Sequence, residues 1–493
     1  MKRILALMLV LLMLLPTVMS CSKDTNDGQD GSGTANTQKE GTENIYDEKG
    51  YLKDSLPELD YDDYEFKILA WDVYSTRGDF FMDVATGETI PDSIYKRNMK
   101  VQDRLNLSFQ IDPMVGNYDA QDEFVAHVLN ISMAGDVHEY DLIGSYSMVG
   151  GTLAMNNLTC DLYGLEHLDF EKPWWPQTYV ERSELNGKLY FATGDLANSY
   201  LYMLHFMTVN VDILKSFERE DPRQMVKNGT WTIDKLIQMT KNVAGELDGV
   251  EGQGVDDRYA YAGYTGVEGD AWLAAAGINI TEEDENGVLK LSEIFTGQIT
   301  HDYLTKLNSW YWDSGECYTT YSKTPILRGS TMFGGVAGEL MYQMNEKTNY
   351  TYGILPYPKL NEDQDNYYSV VGFAHTVFSI PNNSRDTAMS AAVLECMNSE
   401  AYRSSCPDLY EKVFKSRFVT DPIDAEMYDI IREGAYLDQA RIFASSFGSV
   451  NAGPVGMFRS CVSGNKNTWM SIIGEKKDSI NGTFKSISAF VGG

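Results

Sequence analysis

Positive charge is scarce in this chain. Forty Lys and Arg residues stand against 71 Asp and Glu residues, which gives a formal net charge of −31 at pH 7. An acidic protein of this kind repels the phosphates of nucleic acids and the head groups of anionic lipids. The composition therefore excludes both as expected ligands, and the simplest consequence of the charge is solubility.

Cysteine and histidine are also rare, with six residues of each among 493. No two cysteines have the CxxC spacing of a zinc site, and the only close pair is Cys396 with Cys406. The histidines are scattered along the chain, and lone histidines of this kind are more often structural than catalytic. No metal and no other cofactor is predicted.

One calcium-like pattern is present at residues 282–293. Glu282, Asp284, Asn286, Gly287 and Glu293 fall at positions 1, 3, 5, 6 and 12 of an EF-hand-like loop. The first position has Glu in place of the usual Asp, and no clear helix precedes it. Because Asn-Gly between apolar segments is a strong hairpin signal, we predict a β-hairpin here rather than a calcium site.

Short catalytic motifs are missing from the sequence. There is no GxSxG elbow, no HExxH helix, no P-loop and no GxGxxG fingerprint. Glycoside hydrolases lack short signatures, however, and work with two carboxyl groups. Among 71 acidic residues no pair can be singled out, so a secreted, lipid-anchored glycoside hydrolase stays open as the alternative to a binding protein.

The apolar run Ile4–Leu15 is too short to span a bilayer comfortably. It follows Lys2 and Arg3, so residues 1–20 are predicted to be a cleaved export signal. The sequence VMSC at 18–21 resembles the bacterial lipobox, although Met at its second position is less usual than a small residue. Lipidation of Cys21 is predicted, and the alternative is an ordinary signal peptide with an incidental cysteine.

Large apolar residues are almost absent from Ser22 to Asn44, which is rich in Gly, Ser, Thr, Asn and Asp. Such a segment cannot bury enough surface to order itself, so residues 21–44 are predicted to be the lipidated cysteine and a flexible tether. The folded part then begins near Ile45 and has roughly 450 residues, too many for one core. Two lobes are expected.

Strands and helices alternate at the start of the folded part. Buried strands are predicted at Glu65–Trp71, Leu107–Ile111 and Tyr140–Ile143, with amphipathic helices beginning at Pro91 and around Phe124. This spacing is typical of βαβ units and a parallel sheet. The sequence therefore predicts an α/β fold.

The stretch Asn186–Asn210 is predicted to carry the chain from one lobe into the other. It contains an Asn-Gly turn, a strand at Leu189–Thr193, an aromatic run and a strand at Leu204–Val209. Further crossovers are predicted within Gly329–Gly338 and Tyr368–Ser379. Helices are predicted at 231–243, with Thr232 as N-cap, and at 295–312, 384–397, 408–414 and 467–490.

Taken in order, these segments resemble the extracellular solute-binding proteins of bacterial ABC importers, in particular the carbohydrate-type group that includes maltose-binding protein. The similarity covers most of the folded chain, and its specific part is the order and separation of motifs that are individually weak. They are the lipobox and tether, NGKLYFATGD at 186–195, VNVDIL at 209–214, GTWT at 229–232, FGG at 333–335 and GILPYP at 353–358.

The resemblance implies a two-lobed periplasmic-binding-protein-like fold of type II, with lobes joined by crossing strands and a ligand cleft between them. It implies binding and not catalysis, a monomer, and delivery of a carbohydrate to ABC permease subunits from the extracytoplasmic face of the membrane. We place lobe 1 at residues 45–198 plus 328–372 and lobe 2 at residues 199–327 plus 373–493.

Candidate ligand contacts are aromatic and polar residues near strand ends, because sugars stack their apolar faces on aromatic rings and bind polar groups through their hydroxyls. For each aromatic residue the alternative is packing in a core, and for Gly335 it is a simple turn. The candidates are Trp71, Asp72, Trp174, Trp175, Tyr200, Tyr202, Tyr264, Asp270, Trp272, Gly335 and Tyr357.

A third possible function is compatible with the predicted lipid anchor, the acidic composition and the aromatic residues. A surface protein that binds polysaccharide without transporting it would have the same sequence features. A neighbouring pair of permease genes would separate the two, since a binding protein without a permease imports nothing.

Overall fold

Strands and helices alternate along the chain in the computed structural model, which describes residues 45–72, 79–135, 138–247, 249–263 and 266–491. The predicted signal peptide, lipidated Cys21 and tether lie outside these described residues, and so does Tyr264. The β-strands, numbered β1 to β13 in chain order, are Tyr64–Trp71, Leu107–Met114, Leu142–Tyr146, His205–Asn210, Tyr259–Gly263, Thr281–Glu283, Leu289–Leu291, Cys317–Tyr318, Thr331–Ala337, Tyr352–Leu355, Ser369–Val370, Thr376–Ser379 and Ala435–Tyr436.

The helices lie between and around the strands, and none in the described ranges is long and apolar enough to cross a membrane. Short 3-10 segments lie at Leu162–Gly164 and Ala444–Phe447, and π-helical turns at Ser309–Asp313 and Asp408–Arg417. The α-helices, numbered α1 to α19 in chain order, are Thr89–Leu105, Gln121–Met133, Ser147–Met155, Gln177–Ser183, Asn198–Tyr202, Val211–Ser216, Pro222–Lys227, Ile233–Met239, Glu268–Ala275, Glu293–Thr296, Gln298–Asn308, Thr324–Arg328, Leu340–Lys347, Thr387–Arg403, Ser405–Pro407, Pro422–Glu433, Gln439–Ile442, Pro454–Ser463 and Trp469–Val491.

The first sheet has the strand order β12-β3-β1-β2. Strand β1 runs parallel to β2 and β3, with Trp71 opposite Met114 and Ile68 opposite Leu142, whereas β12 is antiparallel to β3. The last four residues of β1 are all buried, as in a strand covered on both faces. The predicted βαβ arrangement is confirmed by the parallel pair β1 and β2, which α1 connects.

The second sheet has the strand order β10-β4-β9-β5-β8. Strand β5 is parallel to both of its neighbours, whereas β4 is antiparallel to β9 and β10. Every residue of β4, β5 and β9 is buried. Two mixed sheets surrounded by helices form an α/β architecture, as the sequence predicts.

Three strands join a different sheet from the one expected. From the sequence, residues 328–372 are expected in lobe 1 and residues 373–493 in lobe 2. In the structure β9 and β10 pair with β4 in the second sheet, and β12 pairs with β3 in the first. A buried apolar strand does not specify its partner by its own sequence, because pairing depends on side chains of distant segments.

The stretch 186–210 is partly as predicted. Asn186 and Gly187 have φ values of 53° and 73° and form the expected turn, and β4 confirms the second strand. The strand predicted at residues 189–193 is wrong. This segment makes a single bridge, between Ala192 and Phe378, because the chain then turns away at Gly194 toward helix α5.

The calcium-like segment forms the predicted hairpin. Strands β6 and β7 pair antiparallel around Asn286-Gly287. The Asp284 carboxylate accepts hydrogen bonds from the N–H groups of Asn286, at 2.8 Å, and Val288, at 3.0 Å. Because this carboxylate closes the turn, the acidic residue has a structural role that requires no ion.

Cysteine pairing plays no part in holding the described fold together. The five cysteines in the described residues are all free thiols, so Cys396 and Cys406, the close pair in the sequence, form no disulfide. Burial raises the pKa of Cys396 to about 12. A thiol that stays protonated is unreactive, so the cysteines act as small apolar side chains.

Candidate functional site

A cavity of about 350 Å³ is lined by residues from both sheets. Tyr146 ends β3 in the first sheet and Ala337 ends β9 in the second, so both sheets reach the cavity at strand carboxyl ends, where open α/β sheets bind ligands. We call it the cleft cavity. Its lining residues are Tyr118, Tyr146, Met203, His205, Val267, Ala337, Glu339, Gly372, Phe373, Ala374, Val450, Asn451 and Arg459.

Three aromatic side chains border the cleft cavity. Tyr118 follows β2 and is 44% exposed, and Phe373 is half-buried in the segment between β11 and β12. Tyr146 is buried, and its ring lies 5.2 Å from that of Trp71 in an edge-to-face contact. Rings held at the wall of a cavity offer the apolar faces on which sugar rings stack.

A charged group lies beside these rings. Arg459 donates to both carboxylate oxygens of Asp270, from Nε and Nη2 at 2.6 Å each, and Arg441 donates to the same carboxylate. The two guanidinium carbons lie 5.8 Å and 4.0 Å from the ring centre of Phe373. We call these three charged residues the arginine clamp. A bidentate pair of this kind fixes the planar guanidinium of Arg459 at the cavity wall.

Burial acts on the protonation of the arginine clamp. It lowers the pKa of Arg459 to about 10, and burial together with the charge of Arg459 lowers the pKa of Arg441 to about 9. Both values stay above neutral pH, so both guanidinium groups remain charged hydrogen-bond donors. His205 differs, because burial lowers its pKa to about 4 and leaves a neutral imidazole in the cavity wall.

Trp71 and Asp72, predicted at the end of β1, do not line the cleft cavity. Trp71 is 3% exposed and donates its indole N–H to Thr376 Oγ1 at 2.8 Å. It lies one layer beneath the cavity, behind Tyr146. Asp72 is exposed, and its backbone N–H donates to the carbonyl oxygen of Met114.

Trp174 and Trp175 belong to the core, which is the alternative that the sequence left open. They are 0% and 1% exposed, and their indole N–H groups donate to Oε1 and Oε2 of Glu395 at 3.1 Å. The prolines on either side do not bring the rings to a surface. The buried carboxylate of Glu395, in α14, accepts hydrogen bonds from both indole N–H groups. Nothing in the sequence near the two tryptophans indicated this partner.

Tyr200 and Tyr202 are also buried, in helix α5. The ring of Tyr200 lies 6.3 Å from that of His375, and the hydroxyl of Tyr202 lies 3.1 Å from that of Tyr342. Neither tyrosine lines the cleft cavity, although Met203, the next residue, does.

Trp272, Gly335 and Tyr357 come together in a buried cluster under the second sheet. The ring of Tyr357 lies 4.8 Å from that of Trp272, and its hydroxyl donates to the buried carboxylate of Glu268. A Cβ at Gly335 would lie 2.3 Å from Glu268 Oε2. The glycine therefore makes room for this carboxylate, a role that neither the ligand nor the turn hypothesis included.

Among the predicted site residues, Asp270 contributes to the cleft cavity indirectly, because it holds Arg459 at the cavity wall. The residues that sequence reasoning missed are Tyr118, Phe373 and Arg459. A signal existed for Tyr118, which follows β2 much as Trp71 ends β1. No local signal marks Arg459, whose partner Asp270 is 189 residues away.

Comparison with known proteins gives the fold. No protein-family model matches the chain, and no curated protein is significantly similar to it in sequence. Among solved structures, the chain is similar to the cyclic α-maltosyl-1,6-maltose binding protein from Arthrobacter globiformis, at 12% identity and a TM-score of 0.56, over 86% of this chain and 100% of that one.

Two further structures are similar over the same share of this chain. The galacto-N-biose-/lacto-N-biose I-binding protein of the ABC transporter from Bifidobacterium longum has 10% identity and a TM-score of 0.56, over 86% of this chain and 98% of that chain. An ABC substrate-binding protein from Listeria monocytogenes, in complex with cycloalternan, has 11% identity and a TM-score of 0.51, over 86% and 99%. The chain has the two-lobed, type II periplasmic-binding-protein-like fold that the sequence analysis predicts.

Proposed function

We propose that this protein is a lipid-anchored, extracytoplasmic solute-binding protein that binds a carbohydrate in the cleft cavity and delivers it to an ABC permease. The observation that carries the proposal is the composition of that cavity, which both sheets reach at strand ends and whose wall combines aromatic rings with a fixed guanidinium group. The three compared structures, which are described as sugar-binding or ABC substrate-binding proteins, support the same class of ligand.

The ligand is an oligosaccharide in this proposal. The cavity of about 350 Å³ lies near the lower end of the range for small-molecule sites, about 300–1,000 Å³. The rings of Tyr118 and Phe373 supply stacking surfaces, and Arg459 and Asn451 supply hydrogen-bond donors for hydroxyl groups.

Delivery requires closure around the ligand. We place lobe 1 around the first sheet and lobe 2 around the second, with the connections between them acting as hinges. A ligand that touches both lobes binds the closed form better than the open one, and its binding free energy therefore stabilises closure. The closed monomer would then dock onto permease subunits, while lipid on Cys21 keeps it at the membrane.

Binding is favoured over hydrolysis because Glu339 is the one carboxylate among the described residues that line the cleft cavity, and the nearby carboxylates of Asp270 and Glu268 are engaged by fixed partners. A glycoside hydrolase needs one carboxyl group that gives up a proton and a second that acts as base or nucleophile. Asp270 is held between two guanidinium groups, and Glu268 accepts hydrogen bonds from the hydroxyls of Tyr261 and Tyr357. Carboxylates with such partners are fixed acceptors that position other groups.

The proposal is tested by a thermal-shift screen of the protein produced from residue 22 onward, against mono- and oligosaccharides. Residues 46–493 form one compact unit, so this protein keeps the whole described core. A saccharide at a hundred times its Kd adds about 2.7 kcal/mol to the free energy of unfolding and raises Tm measurably. Each saccharide is then recovered and its length measured by chromatography.

The outcomes separate the alternatives. A Tm increase with one class of saccharide, recovered intact, supports a binding protein, whereas shortened saccharide shows a glycoside hydrolase. No increase with any saccharide contradicts carbohydrate binding. The last alternative is tested with the reconstituted permease. If the protein with its bound saccharide stimulates ATP hydrolysis by the permease, it serves transport; if it does not, it binds polysaccharide at the surface without transport.

A further inference from the structure

A second, larger concavity lies apart from the cleft cavity. Its volume is about 650 Å³, which is within the range of small-molecule sites. It is lined by residues of α4 and α7, by residues 365–368, and by the segment 430–437 that contains β13. We call it the ribbon groove, because β11 and β13 pair there as a two-stranded parallel ribbon.

The ribbon groove and the cleft cavity share no residue. Tyr367 and Tyr368 line the groove, β11 follows, and Gly372 and Phe373 line the cavity. The two sites are therefore neighbours along the chain, with the short strand β11 between them. A ligand in the groove touches none of the residues that would bind a solute in the cleft.

Two half-buried tyrosine rings form the apolar part of the ribbon groove. The ring centres of Tyr368 and Tyr436 are 5.8 Å apart, with an angle of 58° between the rings. The hydroxyl oxygen of Tyr436 lies 2.9 Å from both Asn279 Oδ1 and Asp438 Oδ2, and the guanidinium carbon of Arg182 lies 5.9 Å from the Tyr436 ring centre. The Tyr436 ring is thus fixed before any ligand arrives.

The polar part of the groove carries both signs of charge. Carboxylates from Glu181, Asp365 and Glu433 line it together with the cations of Arg182 and Lys227. A mixed set of donors and acceptors matches the vicinal hydroxyl groups of a sugar, each of which both donates and accepts. The same mixture disfavours a strongly charged ligand. An anion would be repelled by the carboxylates, and a cation would be repelled by Arg182 and Lys227.

We propose that the ribbon groove is a second saccharide-binding site, which holds a segment of a neutral oligosaccharide against Tyr368 and Tyr436. The ligand class is argued from the groove itself and does not depend on what the cleft binds. Such a site lets one chain hold a glycan outside the cleft while the cleft stays available.

The experiment is isothermal titration calorimetry with maltohexaose, cellohexaose, xylohexaose and laminarihexaose, on the protein produced from residue 22 onward. Three variants accompany the wild type. The double variant Phe373→Ala/Arg459→Gln removes the cleft contacts, Tyr368→Ala removes a groove ring, and Tyr368→Phe is the matched control that keeps the ring. Melting curves show which variants keep their fold.

We expect binding of at least one hexasaccharide to persist in the Phe373→Ala/Arg459→Gln variant. Adding Tyr368→Ala to that variant weakens it by about tenfold or more, and adding Tyr368→Phe changes it little. Tyr368→Ala alone leaves the binding event that depends on Phe373 and Arg459 in place.

Other results overturn the proposal. If the cleft variant binds no hexasaccharide that the wild type binds, the ribbon groove is not a site and the cleft proposal stands. If residual binding does not respond to Tyr368→Ala, the groove is again excluded. Binding that depends on Tyr368 and not on the cleft residues would support the groove and contradict the proposed cleft function. A wild type that binds none of the four contradicts the groove proposal, while the cleft proposal is decided by the full saccharide screen.

Discussion

The carboxyl group of Glu395 is the clearest case of a single residue whose surroundings control its chemistry. It is 1% exposed, and it accepts hydrogen bonds from the indole N–H groups of Trp174 and Trp175. Burial raises the pKa of Glu395 to about 7 in spite of these bonds. The folded protein therefore holds this proton more tightly than the unfolded chain, whose carboxyl group titrates at about 4.5.

A pH dependence of stability follows from this shift. The contribution of Glu395 is fully present below pH 4.5 and is lost as the pH rises through about 7, where a buried charge forms. Glu395→Gln removes the titration. We expect its free energy of unfolding, relative to wild type, to rise by roughly 3 kcal/mol at most between pH 5 and pH 8. Urea unfolding at four pH values measures it.

The exposed Glu171→Gln is the control for this experiment, because it removes one carboxyl group without touching a buried site. Its stability relative to wild type should not follow the same curve. A difference between Glu395→Gln and wild type that is constant from pH 5 to pH 8 would contradict the raised pKa.

Arg459 is the residue on which the proposed cleft function depends most directly. Arg459→Lys keeps the charge but loses the two-pronged bond to Asp270, and Arg459→Gln loses the charge as well. We expect both to weaken saccharide binding, by about ten- to a hundredfold, with Gln the weaker binder. Calorimetric titration with the saccharide found in the screen gives the Kd values.

Arg328→Gln is a suitable control, since Arg328 forms an exposed pair with Asp256 outside the cleft cavity. Exposed ion pairs contribute little to the free energy of unfolding, so Arg328→Gln should change neither saccharide affinity nor stability much. Equal Kd values for wild type and Arg459→Gln would mean that the saccharide binds elsewhere.

At the scale of an element, strand β9 shows how one glycine serves the packing of a whole sheet. β9 lies between β4 and β5, and Gly335 leaves space for Glu268 and for the hydroxyls of Tyr261 and Tyr357. A Cβ there would come within 2.4 Å of both hydroxyl oxygens. A methyl group at this position must displace buried, hydrogen-bonded atoms.

We therefore expect Gly335→Ala to lower the free energy of unfolding by about 1–3 kcal/mol. Gly474→Ala is the matched control, because Gly474 is exposed in helix α19 and a Cβ there meets nothing within 4 Å. That change should raise stability by about 0.5–1 kcal/mol through helix propensity. Urea unfolding of the two variants should show opposite signs, and a neutral Gly335→Ala would refute the crowding argument.

At the scale of the whole molecule, the proposed function requires closure of the two lobes around the ligand. A solute that bridges the ends of both sheets should shift the population toward a more compact form. We expect the radius of gyration, measured by small-angle X-ray scattering, to fall when the saccharide from the screen is added at saturation.

The Arg459→Gln variant, at the same saccharide concentration, supplies the comparison for the scattering experiment. Its radius of gyration should decrease less, because a smaller fraction of the variant has saccharide bound. A saturated wild type with an unchanged radius of gyration would speak against hinge closure, even if binding itself were confirmed.

Features that depend on neighbouring residues could be predicted from the amino-acid sequence. The Asn186-Gly187 turn, the hairpin at Asn286-Gly287 and the N-cap at Thr232 all form where predicted, because each rests on local backbone preference or a short side-chain contact. The α/β alternation follows from hydrophobic periodicity in the same way.

Which distant segments meet could be seen only in the folded protein. The sequence could not assign β9 and β12 to their sheets, and it could not tell that Trp174 is core while Phe373 lines a cavity. An exposed and a buried aromatic residue can have the same local pattern, because burial depends on what packs against it. Asp270 and Arg459 lie 189 residues apart, and folding alone brings them to one wall of the cleft.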